Sequence, residues 1–169
     1  MSGKKEKQSK FTKGEHVVYP AHGVGLIMGF EDQEIAGHSL ELIVIDFQQE
    51  RMTLLVPLGK ADTSGLRQLS TKDEMKKAVK TLQGRSRVRR TMWSRRAQEY
   101  EAKINSGDPI LIAEVVRDLH RNAGQPDQSY SERQIYQAAF GRLMREFAAV
   151  ENVDEDTATE QLETLLQAA

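Results

Sequence analysis

At Ser70 the apolar pattern of the chain changes its period. Between about Phe11 and Leu69 apolar residues fall in short runs rich in β-branched side chains: HVVY, VGLIMGF, LELIVIDF, MTLLVP and LRQL. PAHG, an EIAGHS turn and PLGKADTSG break them. Five short strands with Gly23, Gly25 and Gly29 at the bends predict a sheet that curls into a small SH3-like or Tudor-like barrel rather than lying flat. Beyond Ser70 the signals are helical. TKDE (71–74) is a capping box, and Met75, Ala78, Val79 and Leu82 follow on one helical face. A helix is predicted from about Ser94 to Ile104, closed by NSG. Asp108 and Pro109 open the next, whose stripe of Leu111, Ile112, Val115, Val116 and Leu119 stops at Gly124 and Pro126. A second box, SERQ (131–134), opens a long helix carrying Ile135, Ala138, Ala139, Leu143, Phe147 and Val150, and a last helix runs from about Asp154 to Gln167. The fold class expected is α+β and multidomain: a small N-terminal Tudor/SH3-like β-barrel over 11–70, then a C-terminal all-α domain over 71–169. MSGKKEKQSK (1–10) is too polar to offset its ordering entropy and reads as a disordered basic tail.

What such a chain can do is narrowed by what it lacks. With no cysteine among its 169 residues it has no disulfide, thiol nucleophile or thiolate zinc site. Neither a bilayer-length apolar run nor a signal-peptide core follows the N-terminal lysines, so a cytoplasmic protein without membrane partners is expected. His16, His22, His38 and His120 are scattered, and none stands in an arrangement that binds metal or activates a nucleophile. The adjacent Glu31 and Asp32 point apart in an extended segment. The GVG at 23–25 lacks the length and the following helix of a phosphate loop, and reads as a bend. No catalysis, metal or cofactor is expected.

Charge is informative by position. The net charge is −1, yet residues 76–96 hold nine basic side chains and no acid, while the chain beyond Arg145 holds seven acids and no base. Within the basic stretch, RSRVRRTMWSRR (85–96) sets six arginines around the only tryptophan, Trp93. Two readings are open. Trp93 is docked half-buried where the chain enters a helix, beside a solvated linker. Alternatively, the guanidinium groups bind phosphates and Trp93 stacks on or wedges between bases.

KGEHVVYPAHGVG near the start and MWSRRAQEYEAKINSGDPILIAEVVRDLHR later together resemble the CarD family of bacterial transcription regulators, over roughly 11–150. The resemblance implies a factor that binds RNA polymerase at the lobe of the β subunit through a Tudor-like domain. That domain is similar to the polymerase-interacting domain of the transcription-repair coupling factor. It implies further that the helical domain sits at the upstream edge of the transcription bubble, where a tryptophan enters the minor groove and helps keep the strands apart. Trp93 matches that tryptophan and Arg95 the arginine two positions on, with Arg96 beside it; Arg89 and Arg90 complete the DNA-binding set. Where some members carry basic residues near the second and fourth strands this sequence has Gln33 and Leu55, and these with Ile35 are candidate polymerase contacts, barrel packing being the plainer role for Ile35 and Leu55. A monomer, associated with the nucleoid through polymerase, is expected. An RNA- or ribosome-associated module is the rival; it would need aromatics exposed on the barrel face, whereas Tyr19, Phe30 and Phe47 sit in apolar runs and read as core.

Overall fold

Strand β1 (His16–Tyr19), β2 (Gly23–Ile35), β3 (His38–Phe47), β4 (Met52–Pro57) and β5 (Arg67–Gln68) pair antiparallel in the order β4-β3-β2-β1-β5. This is a Tudor-like sheet in which the last strand returns beside the first. The computed structural model describes residues 11–61, 63–87, 91–121 and 128–167, so the expected basic tail, 1–10, lies outside the described residues. The chain divides into two units, Met1–Leu69 and Ser70–Ala169.

Strand alternation selects the first core. Ile43, Ile45 and Phe47 point to one face of β3 and pack with Val17, Ile27 and Val56, with Phe11 and Leu66 closing the cluster. Gly25 is required by that packing, since a Cβ there would lie 2.6 Å from Ile45 Cγ2 and 2.8 Å from the Phe47 ring. A bulge between Ile27 and Gly29 shifts the register by one, so the faces of β2 exchange parity from there on.

Two expectations for this half need correction. The EIAGHS turn is shorter than expected: β2 continues to Ile35 and β3 starts at His38, leaving Ala36–Gly37 as a two-residue hairpin turn. The acidic EDQE stretch hid the strand because the hairpin is held there by ladder hydrogen bonds, with its side chains mostly in solvent. Phe30, expected in the core, is 39% exposed for the same reason. At the turn, Ala36 and Gly37 take φ values of 53° and 79°. That left-handed conformation is costly for alanine and well tolerated by asparagine, so Ala36→Asn is expected to raise stability by about 0.5–1 kcal/mol. A higher denaturant midpoint at unchanged slope checks it.

Five helices follow among the described residues: α1 (Lys72–Leu82), α2 (Trp93–Asn105), α3 (Pro109–Leu119), α4 (Tyr130–Glu151) and α5 (Glu155–Gln167). Thr71 and Glu74 form the reciprocal capping box expected for α1, and Asp108 accepts from the Ile110 N–H ahead of α3. SERQ does not open α4. Ser129, extended at φ −63° and ψ 165°, accepts from the Glu132 N–H, which leaves Ser131 inside the first helical turn with its hydroxyl free of capping. Asp154 accepts from the Thr157 N–H at 2.6 Å ahead of α5, and bonding to Thr157 holds its carboxyl below the ordinary range. The helices share one core, in which Met75, Leu82, Val115, Leu119, Leu143 and Leu162 are almost fully enclosed. Glu146, buried within it, accepts from the Ser70 N–H at 2.9 Å and so fixes the start of the helical unit to α4. Tyr136 Oη lies 3.2 Å from His120 Nδ1, and burial, then the charge of Glu163, pushes the phenol up to about 12, which keeps it protonated. No helix among the described residues is long and apolar enough to cross a membrane.

Candidate nucleic-acid interface

Two tethers bracket the arginine segment. Before it, the Arg87 N–H donates to Asp118 Oδ1 at 2.9 Å and the Ser86 hydroxyl donates to the Asp118 carbonyl at 3.3 Å, which holds residues 86–87 on the end of α3. Asp118 is only 3% exposed and also accepts from Arg117 Nε at 2.9 Å. After it, Trp93 is the first residue of α2 and its Nε1–H donates to Ser131 Oγ on α4 at 3.1 Å.

Trp93 is neither enclosed nor free. It is half-buried and packs against the helical core, with its ring 6.2 Å from that of Tyr100 and tilted by 50°. Arg96, one turn on, lays its guanidinium 5.4 Å from the Trp93 ring centre and 5.7 Å from that of Tyr100, and donates to the Tyr100 hydroxyl at 3.2 Å. Its Nε is buried and has no hydrogen-bond partner among the described residues. Arg95 is exposed. Arg89 and Arg90 lie outside the described residues.

Beside this cluster a cleft of about 690 Å³ is lined by Arg87, Arg96, Tyr100, Lys103, Arg117 and the carboxylates of Glu99, Glu114 and Asp118. Lys103–Glu114 at 2.9 Å and Arg117–Asp118 neutralise each other there, which leaves Arg87 and Arg96 against Glu99. Sequence reasoning missed Asp118, Tyr100 and Ser131. The signal for Asp118 was an acid set in the apolar run VVRDL, three residues after Val115, where a buried carboxylate must be partnered. Tyr100 lies seven residues, two turns, beyond Trp93 on one helix face. Ser131 had no local signal, since it meets Trp93 from another helix.

On the first unit, register brings the three remaining candidates to one face. Gln33 is opposite Leu40, Leu55 is opposite Val44, and Val44 is opposite Gly29, all on the side away from Ile27, Ile43 and Ile45. Ile35, Leu40 and Leu55 are 50%, 37% and 41% exposed, so Ile35 and Leu55 are not barrel packing. Gln33 is half-buried and bonds Glu31 at 3.4 Å. No group of three or more His, Cys, Asp or Glu side chains among the described residues could hold a metal.

The chain thus holds two units: an antiparallel sheet with apolar side chains exposed on its outer face, and a helical unit that seats a half-buried tryptophan beneath an arginine. The chain belongs to the CarD family: residues 77–163 match the family model described as CarD, C-terminal domain, and residues 11–70 match the CarD-like/TRCF RID domain. It is similar to YdeB of Bacillus subtilis (strain 168), a protein named for a role as a transcription factor, with 28% identity over 145 residues covering 86% of this chain and 95% of that one. It is also similar to the solution structure of the 72-residue N-terminal domain of Myxococcus xanthus CarD, at 29% identity and a TM-score of 0.31, covering 35% of this chain and 79% of that one. The protein is a transcription regulator of this family.

Proposed function

We propose that the chain binds RNA polymerase at the lobe of the β subunit through the outer face of residues 11–70, and stabilises the open promoter complex through residues 71–169. In this reading Trp93 enters the minor groove at the upstream edge of the bubble, Arg95 and Arg96 contact phosphates, and Arg89 and Arg90 extend the basic track. The observation that carries it is the placement of Trp93, half-exposed on the first turn of α2 with the Arg96 guanidinium over its ring, packed against the core and not enclosed in it.

The physics favours such a device. Opening is an equilibrium that a bound factor shifts only by its differential affinity for the two states. Unstacking a base step costs a few kcal/mol in duplex and much less at a melted junction, so a wedge prefers the open state, and a preference of about 1.4 kcal/mol shifts the population tenfold. A few arginine contacts give weak, sequence-indifferent affinity, which attachment to polymerase converts into occupancy by raising the effective concentration. On this reading the protein acts as a monomer without catalysis, metal or cofactor, in the cytoplasm, and reaches the nucleoid with polymerase. The exposed Phe30 is what an RNA-binding barrel would need, but Glu31, Asp32 and Glu34 surround it with charge that repels a phosphate backbone.

The polymerase half of the reading is tested on the outer sheet face. Leu55→Asp places a charge on that face at an exposed position, so retention of core polymerase by the immobilised protein is expected to fall at least about tenfold, with a thermal midpoint near wild type. Undiminished retention would remove this face from the interface.

A further inference from the structure

Trp93 carries a single polar atom, and that atom is engaged before any partner arrives. Its Nε1–H points to Ser131 Oγ at 3.1 Å. An indole whose donor is satisfied offers a partner carbon edge and π surface alone. Its orientation is also constrained twice over: the hydrogen bond holds the pyrrole edge, while the Arg96 guanidinium covers the ring at 5.4 Å and is itself fixed by the Tyr100 hydroxyl at 3.2 Å. Ser131 is available for this because Ser129 caps α4 in its place.

We propose that Ser131 is a positioning residue for Trp93: its hydroxyl sets the rotamer of the indole and withdraws the N–H from base reading. The wedge then acts alike on whatever base step it meets. This rests on the wedge reading above, and deepens it by naming what orients the wedge and why it carries no sequence preference.

The chain has one tryptophan, so indole emission from the free protein, excited at the red edge where tyrosine does not absorb, reports Trp93 alone. Ser131→Ala, at an exposed position in a helix, is expected to keep the fold, red-shift the emission as the N–H turns to water, and lower the anisotropy as the ring gains freedom. Ser131→Thr retains the hydroxyl and is expected to restore both signals. In polymerase–promoter complexes the alanine variant is expected to shorten the open-complex lifetime by about threefold, the size of one modest hydrogen bond, again with rescue by threonine. Wild-type fluorescence in Ser131→Ala overturns the proposal whatever happens on DNA. Altered fluorescence with an unchanged lifetime also overturns it, provided that Trp93→Ala shortens the lifetime in the same assay. If Trp93→Ala is itself without effect, the wedge reading fails, and the claim that Ser131 orients the indole stands or falls on the fluorescence.

Discussion

Trp93→Ala is expected to shorten the lifetime of open promoter complexes by about tenfold while leaving polymerase retention unchanged, because the lost interaction acts on the melted junction and not on the outer sheet face. The structure sets the stability change that should accompany it. A fully enclosed tryptophan costs about 3–5 kcal/mol when truncated to alanine. Trp93 is half-buried, packing on the helical core by part of its surface. About 1–2 kcal/mol is therefore expected, a fall of the order of 5–15 °C in the melting temperature of a domain this size. Trp93→Phe separates the two contributions, since it retains a ring to pack while losing reach and the bond to Ser131. Its stability should stay near wild type with a lifetime between those of wild type and Trp93→Ala. Charge provides a further contrast. Trp93→Ala removes none and should leave the salt dependence of DNA association unaltered, whereas Arg95→Ala should reduce the log–log slope by about 0.9 if the exposed guanidinium contacts one phosphate. A loss of stability of the size seen for an enclosed tryptophan would make Trp93 a core plug, and a normal lifetime in a stable variant would remove the wedge.

Local chemistry was the legible part of this molecule. The capping box at Thr71–Glu74 and the Asp108–Pro109 start of α3 are written in consecutive residues, and both form as the sequence implies. Likewise β4 spans the run MTLLVP. Where two local signals competed, the stronger motif did not prevail. SERQ offers Ser131 as the cap, yet Ser129 caps α4, a choice that follows from where the chain enters the helix and that no pattern of neighbours records. The continuation of β2 through EDQEI was hidden for another reason: apolar alternation reports burial, and this hairpin is paired by its backbone with little burial to report. At the candidate interface the residue types around Trp93 were visible, but the partners that hold it were not. Ser131 lies 38 residues away from Trp93, and Asp118 lies 31 residues away from the Arg87 amide it holds. Both contacts depend on how the helices pack, which is set by the shared core rather than by either segment.

Asp118→Ala tests that dependence from the other side of the arginine segment. The substitution leaves the Arg87 N–H without its acceptor and the Arg117 guanidinium, only 11% exposed, without its counter-charge. Breaking one partner out of a buried pair strands the other, so a loss of about 3 kcal/mol is expected, far more than the pair would be worth against an apolar replacement of both members. For a domain of this length that corresponds to a fall in melting temperature of about 12–24 °C. Asp118→Asn keeps the shape and an oxygen able to accept from Arg87 but removes the charge facing Arg117, and should fall between the two. A milder temperature, at which both variants remain folded, isolates the consequence for function. Residues 86–87 keep only the Ser86 bond to the backbone carbonyl of residue 118 and lose the stronger of their two anchors on α3, so the arginines that follow must be ordered on DNA at the expense of more conformational entropy. Association with polymerase–promoter complexes should weaken several-fold with the salt slope intact, because every arginine is still present to displace a counterion. That pairing of outcomes distinguishes a tether from a phosphate contact: loss of affinity with a reduced slope belongs to Arg95, and loss of affinity at constant slope belongs to Asp118. Wild-type stability in Asp118→Ala would mean that the segment is held by something other than this carboxylate.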